Sequence, residues 1–88
     1  MALGGVIING NAKIGENCTI HPDVVIGHKS RGGGAPVIGD NVQIFSGARI
    51  IGDITIGNNV IIAPNAVVIN SIPDNTTVGG IPAKVLNR

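Results

Sequence analysis

Residues 37–68 read VIGDNVQIFSGARIIGDITIGNNVIIAPNAVV, and the spacing of their aliphatic residues decides the fold. Ile38, Ile44, Ile50, Ile56, Ile62 and Val68 recur every six residues, and Val42, Ala48, Ile54, Val60 and Ala66 fall four after each of the first five. An amphipathic helix would return apolar residues at intervals of three and four. Here the two apolar positions lie two apart, as in Val60 and Ile62 or Ala66 and Val68, which is the alternation of a short strand with one inward face. Small and turn-forming residues follow the aliphatic, as in IGDN and IGNN, and Gly or Asn there permits a turn. Three such sides of six residues, eighteen in all, close a triangular coil, and successive coils stack as parallel strands. The reading is an all-β chain, a parallel β-helix of hexapeptide repeats, with like residues piled into ladders along the axis.

The beat extends outward from this stretch. Upstream, Ile8, Ile14, Ile20 and Ile26 hold the first position and Ala12, Cys18 and Val24 the second; downstream, Ile72 continues the second set. Cys18 therefore takes an inward place beside valines and alanines and reads as packing rather than as a reactive thiol. One step breaks the rhythm: Ile26 to Ile38 is twelve residues, and the interruption is GHKSRGGGAP, residues 27–36. The expected organisation is a single domain over residues 1–88, with repeat coils at 6–72, an inserted loop at 28–36 and a C-terminal cap at 73–88. In that cap the prolines leave the repeat, and Val78, Ile81 and Val85 fold back. Roughly three coils at about 4.8 Å each give a prism ~15 Å tall. Solenoids need polar caps at both ends, and nothing comparable precedes Val6. A homo-oligomer is expected, with an N-terminal part or a partner missing from the chain.

Composition narrows the class. The 88 residues are 43% hydrophobic with 14 glycines, and Phe45 is the only aromatic residue; β-branched side chains and glycine suit many short strands joined by tight corners. A net charge of +1 with 12% charged residues offers no basic field for nucleic acid, and one aromatic ring is no base-stacking surface. The N-terminal segment has neither a basic leader nor a spanning apolar run, and Cys18 alone points to a reducing compartment, so a cytoplasmic protein without membrane contact is expected. GGGAP is not followed by the Gly-Lys-Ser/Thr and helix of a phosphate-binding loop. Two histidines fall short of the three or four ligands zinc takes, so no metal is expected. Thr19, Thr55, Thr76 and Thr77 form no flat array of the ice-binding kind.

The hexads, the Gly-rich loop and the ending VGGIPAKVL together resemble the hexapeptide-repeat acyltransferases, closest to serine acetyltransferases and related bacterial polysaccharide O-acetyltransferases. The resemblance runs from GGVIINGNAKIGENCTI through the stretch quoted first to IPAKVL, nearly the whole chain. It implies a left-handed coil, against the usual right-handed crossover, and a homotrimer with acetyl-CoA lying in clefts between neighbouring prisms. It further implies transfer of acetyl to a hydroxyl with a histidine as general base. Carried over by position, the thioester and pantetheine arm run past Gly27 and the loop, then past Ser46 and Pro64, one coil apart in matching places. Lys84, from PAK, falls near the phosphate end.

Two departures from that family stand out. Its loop usually ends Arg-His-Pro, where this chain has Gly34-Ala35-Pro36, and its upstream histidine falls on Ala2. Acyl transfer needs a base that titrates near neutral pH, which leaves His28, at the opening of the loop, and His21, in the TIHP hexad. His28 is the better placed of the two beside the expected thioester, and for each the simpler reading is a surface or subunit-contact histidine. Lys29 and Arg31 are candidates for a phosphate of the donor, or simply solvated loop charge. Two readings follow: an acetyl-CoA-dependent O-acetyltransferase acting on serine or a sugar hydroxyl, with impaired activity, or a non-catalytic or truncated β-helix trimer that at most binds CoA.

Overall fold

The computed structural model describes residues 5–8, 10–28 and 34–87; Ala2, Lys29 and Arg31 lie outside them. Strands are numbered in chain order and fall on three faces. The first face carries β1 (Ile7–Ile8), β4 (Val25–Gly27), β7 (Arg49–Ile51) and β10 (Val67–Val68), stacked in that order. The second carries β2 (Lys13–Ile14), β5 (Val37–Ile38) and β8 (Thr55–Ile56). The third carries β3 (Thr19–Ile20), β6 (Gln43–Ile44), β9 (Ile61–Ile62) and β11 (Thr77–Gly79), with β12 (Lys84–Asn87) outermost. All pairings are parallel except β11 with β12. This is the left-handed parallel β-helix.

The inward ladders follow the hexad positions. Ile8, Ile26, Ile50 and Val68 lie in register on the first face, Ile14, Ile38 and Ile56 on the second, and Ile20, Ile44, Ile62 and Val78 on the third. Ile26, Ile44, Ile50, Ile56 and Ile62 are wholly buried, and each such side chain contributes about 1.5–3 kcal/mol by leaving water. Burial falls off toward the first coil, where Ile8 is 41% exposed. Ala12, Ile14, Cys18 and Ile20 only partly enclose themselves against the core. Cys18 packs as its inward place requires, with its Sγ 3.1 Å from the Gly39 carbonyl.

The end of the repeat differs from expectation. The prolines do not take the chain out of the coil at residue 73, and the stack has a fourth turn rather than three. Ile72 bridges Ile56, and β11 joins the third face in parallel, with Val78 buried opposite Ile62. The fourth turn is shorter: Asp74 reaches Asn58 across 16 residues, where Asn58 reaches Asp40 across 18. Ser71 makes the shortcut possible, because its Oγ accepts the Thr55 N–H at 3.0 Å while the Ile72 N–H donates to the Thr55 carbonyl at 2.9 Å. Only β12 folds back. Val85 lies in that fold-back, opposite Val78, whereas Val78 itself belongs to the coil; Ile81 and Val85 are 75% and 47% exposed.

Corner chemistry explains the residues between the aliphatics. Asn17, Asn41, Asn59 and Asn75 turn the corner from second to third face at φ near 60°, a left-handed conformation that Asn tolerates best among residues with a Cβ. Beside them runs a ladder of side-chain oxygens. Asp40 Oδ1 accepts the Glu16 N–H at 2.9 Å, Asn58 Oδ1 accepts the Asp40 N–H at 2.8 Å, and Asp74 Oδ1 accepts the Asn58 N–H at 2.7 Å. Gly15, Gly39 and Gly57 lie against this ladder; a Cβ on Gly57 would stand 2.6 Å from the Asp74 backbone nitrogen.

Gly57→Ala is therefore expected to cost about 1–3 kcal/mol through overpacking against backbone. Ile50→Ala, in the closed part of the core, should cost about 2–5 kcal/mol, and Ile8→Ala, on the open coil, distinctly less. Urea denaturation of the three variants measures the order.

Candidate functional site

The candidate residues fall on two corners, at opposite ends of the strands of the first face. At the corner leading from third to first face, each coil contributes a short turn, and the turns stack through their backbone. The Gly47 N–H donates to the Pro22 carbonyl at 3.2 Å, and the Asn65 N–H donates to the Ser46 carbonyl at 3.0 Å. Ser46 and Pro64 thus occupy equivalent places one coil apart, both exposed. Above them the Val67 N–H donates to the Gly80 carbonyl at 3.1 Å and the Ala83 N–H to the Val67 carbonyl at 2.8 Å. These bonds dock the fold-back, and they bring the exposed Lys84 opposite Gly79 in the β11–β12 pairing. Ser46, Pro64 and Lys84 therefore follow one another up a single edge of the prism.

His21 belongs to the same edge. It precedes the Pro22 turn and stacks on Phe45, with ring centroids 4.7 Å apart and planes at 14°. Both rings are half-buried, and Ala63 and Gly79 continue the column, since the Phe45 N–H donates to the Ile62 carbonyl and the Ala63 N–H to the Val78 carbonyl. The sequence reading missed this stack. The signal was present: on the second and third faces, equivalent residues of the first two coils stand 24 apart, eighteen for the coil and six for the insertion, and that offset pairs His21 with Phe45. Arg49 was also missed. Its Nη1 donates to the Asp23 carbonyl at 2.9 Å and the Gly47 carbonyl at 2.8 Å, which ties together two turns of this edge.

Gly27 and His28 stand at the other corner. Gly27 ends β4 opposite Ile51, its carbonyl accepts the Gly52 N–H at 2.9 Å, and the exposed His28 follows it into the loop. The loop returns through Gly34, Ala35 and the buried Pro36, whose carbonyl accepts the Lys13 N–H at 3.1 Å. Gly34 lies under Asp53: a Cβ there would sit 2.5 Å from the Asp53 Cγ. One chain therefore gathers His21, Ser46, Pro64 and Lys84 along one edge and leaves Gly27 and His28 at another, with Lys29 outside the described residues. Among the described residues no pocket encloses either set, and no three His, Cys, Asp or Glu side chains gather as metal ligands.

Comparison with known proteins agrees with this architecture. Residues 35–70 match the family described as bacterial transferase hexapeptide (six repeats). The chain is 46% identical over 86 residues to a serine acetyltransferase of Staphylococcus xylosus and 44% identical to one of Staphylococcus aureus, covering 96% of this chain in both cases. Among solved structures, it superposes on serine acetyltransferase of Neisseria gonorrhoeae with a TM-score of 0.91 at 38% identity, over 96% of this chain and 33% of that one. The Brucella abortus serine acetyltransferase in complex with coenzyme A gives a TM-score of 0.89 at 33% identity, over 93% of this chain and 34% of that one. The chain spans about 40% of the length of the curated relatives it matches.

The docking of Lys84 depends on Gly79. A Cβ at that position would lie 2.9 Å from Leu86 Cδ1 and 3.1 Å from Ala63 Cβ. Gly79→Val should push β12 off β11 and expose the segment to local opening. Limited trypsin digestion should then cleave after Lys84 roughly tenfold faster than in the unsubstituted protein.

Proposed function

The chain belongs to the bacterial hexapeptide-repeat transferases, and on that premise we propose that it carries the donor site of an acetyl-CoA-dependent O-acetyltransferase. The observation that carries this reading is the alignment of Ser46, Pro64 and Lys84 up one edge of the prism. An extended pantetheine arm fits such an edge, with its acyl end low at Ser46 and its phosphates high at the Lys84 ammonium, where a charge-assisted contact is strongest. Likeness to a relative solved with coenzyme A supports the same ligand. The setting we propose is cytoplasmic, on the strength of a lone, half-buried thiol in place of paired cysteines.

Assembly follows from where the residues lie. His28 and Gly27 occupy one corner and Ser46 and Pro64 another, so a donor touching both sets lies between two copies of the chain. A homotrimer of three prisms closes such clefts with cyclic symmetry, and each cleft takes the edge from one protomer and the loop corner from its neighbour. Acetyl-CoA supplies an activated acetyl thioester; transfer exchanges the C–S bond for a C–O bond to the acceptor, and the hydroxyl proton ends on the departing sulfur. His28 holds that proton in transit, since it is exposed at the base of the loop. His21 is the less suited base, because its ring is committed to the Phe45 stack. The acceptor is a small molecule bearing a hydroxyl, serine or a sugar.

Ala35 stands where the related loop carries histidine, so turnover is expected to be weak: loss of a positioned base commonly costs ~10²–10⁴ in rate. Calorimetric titration with CoA should show binding in the micromolar range, and Lys84→Ala should weaken it about tenfold, less so at high salt. Acetyl release assayed with serine and with sugar acceptors should fall further in His28→Ala and hold within about twofold in His21→Ala. Absence of CoA binding by the unsubstituted protein would leave a non-catalytic or truncated β-helix.

A further inference from the structure

Two corners of the prism are bonded from coil to coil through backbone, and each is supplemented by different side chains. From second to third face the Asn41, Asn59 and Asn75 N–H groups donate to the Glu16, Asp40 and Asn58 carbonyls, and the side chains of Asp40, Asn58 and Asp74 add a ladder of their own. Each of these polar groups is spent on the neighbouring coil. From third to first face, where Ser46 and Pro64 lie, the rungs between turns are backbone bonds. Among the described residues, the side-chain hydrogen bonds to this corner come from Arg49, which stands outside it in β7, between Val25 and Val67 in register.

Arg49 reaches one carbonyl in each of two consecutive turns. Asp23 and Gly47 are the left-handed residues of their turns, at φ 65° and 79°, and a carbonyl at such a turn has left the ladder of the adjoining strand. Nη1 takes both, in consecutive coils, at 2.9 and 2.8 Å, and lies 3.5 Å from the Ala48 carbonyl. One coil up, Val67 occupies the equivalent place, so Arg49 fixes this pair of turns alone. They are the Pro22 turn and the Ser46 turn, at the acyl end of the proposed donor path.

We infer that Arg49 is a positioning residue for the donor edge: it staples the Ser46 turn to the Pro22 turn from the face behind, which keeps the polar groups of the edge available to a ligand. This rests on the donor-site reading above.

The experiment pairs Arg49→Met, which keeps an apolar stem and loses the donors, with Arg49→Lys, which restores a cation and three N–H groups. Amide hydrogen exchange in the full chain should quicken about tenfold at residues 46–49 and 23–25 in Arg49→Met, while the amides of Asp40 and Asn58 keep their rates. Affinity for CoA should fall about tenfold in Arg49→Met, with partial recovery in Arg49→Lys. KM for acetyl-CoA should rise with kcat held within about twofold. Exchange or CoA affinity unchanged in Arg49→Met overturns the positioning role alone. No CoA uptake by the unsubstituted protein overturns the donor-site reading and the role that rests on it, and the two failures are thereby distinguished.

Discussion

Parallel register, repeated without slip from coil to coil, is the constraint from which the rest of the molecule follows. Strand side chains alternate, so a shift of one residue would turn every inward isoleucine to solvent. The three ladders, running through Ile50, Ile38 and Ile44, leave no room for such a shift, and the left-handed Asn corners fix where each strand begins. Change in length is then confined to corners. The second coil absorbs six extra residues and the fourth loses two, as the 24, 18 and 16 residue offsets of the Asx ladder record, yet Ile14, Ile38 and Ile56 remain stacked. A loop can be inserted into this fold without disturbing it only where one face gives way to the next, and that is where GHKSRGGGAP stands.

The same constraint explains what the sequence revealed. Inward positions were legible because their period is imposed by geometry: Val24, Val42, Val60 and Ala66, named from spacing, are all wholly buried. The fourth turn was not legible, because a strict six-residue count puts Ile72 in the second set, whereas after the shortcut at Ser71 it stacks on Ile56 of the first set. Ile81 and Val85 look like core residues by composition, but they sit in a fold-back whose inward side is already closed by Val78. Of the candidate site, matching places for Ser46 and Pro64 came from the repeat. The His21–Phe45 stack and the Arg49 contacts needed the insertion counted and the side chains placed.

Division of the candidate residues between two corners carries its own argument about assembly. Each strand of the first face is only two or three residues long, yet it sets a full face between the Ser46 edge and His28. No side-chain rotation carries an imidazole at Gly27's corner around to the other. Residues on the Ser46 edge and residues at the Gly27 corner therefore do not come together within one chain. The aliphatics Val37, Ile61 and Ile69 are exposed, since their outward positions on the repeat serve no core.

Loss of the loop histidine can be weighed in the same terms. A Cβ at Gly34 would meet the flexible end of Asp53, not backbone, so a larger residue there needs only a side-chain rotation. The half-buried Ala35 is flanked by Pro36, whose burial and backbone contact to Lys13 hold the end of the loop irrespective of its neighbours. Gly34 and Ala35 are therefore not demanded by the fold, in contrast to Gly57, which is. The packing around them leaves their identity free to vary. His28 stands exposed on the departing side of the same loop.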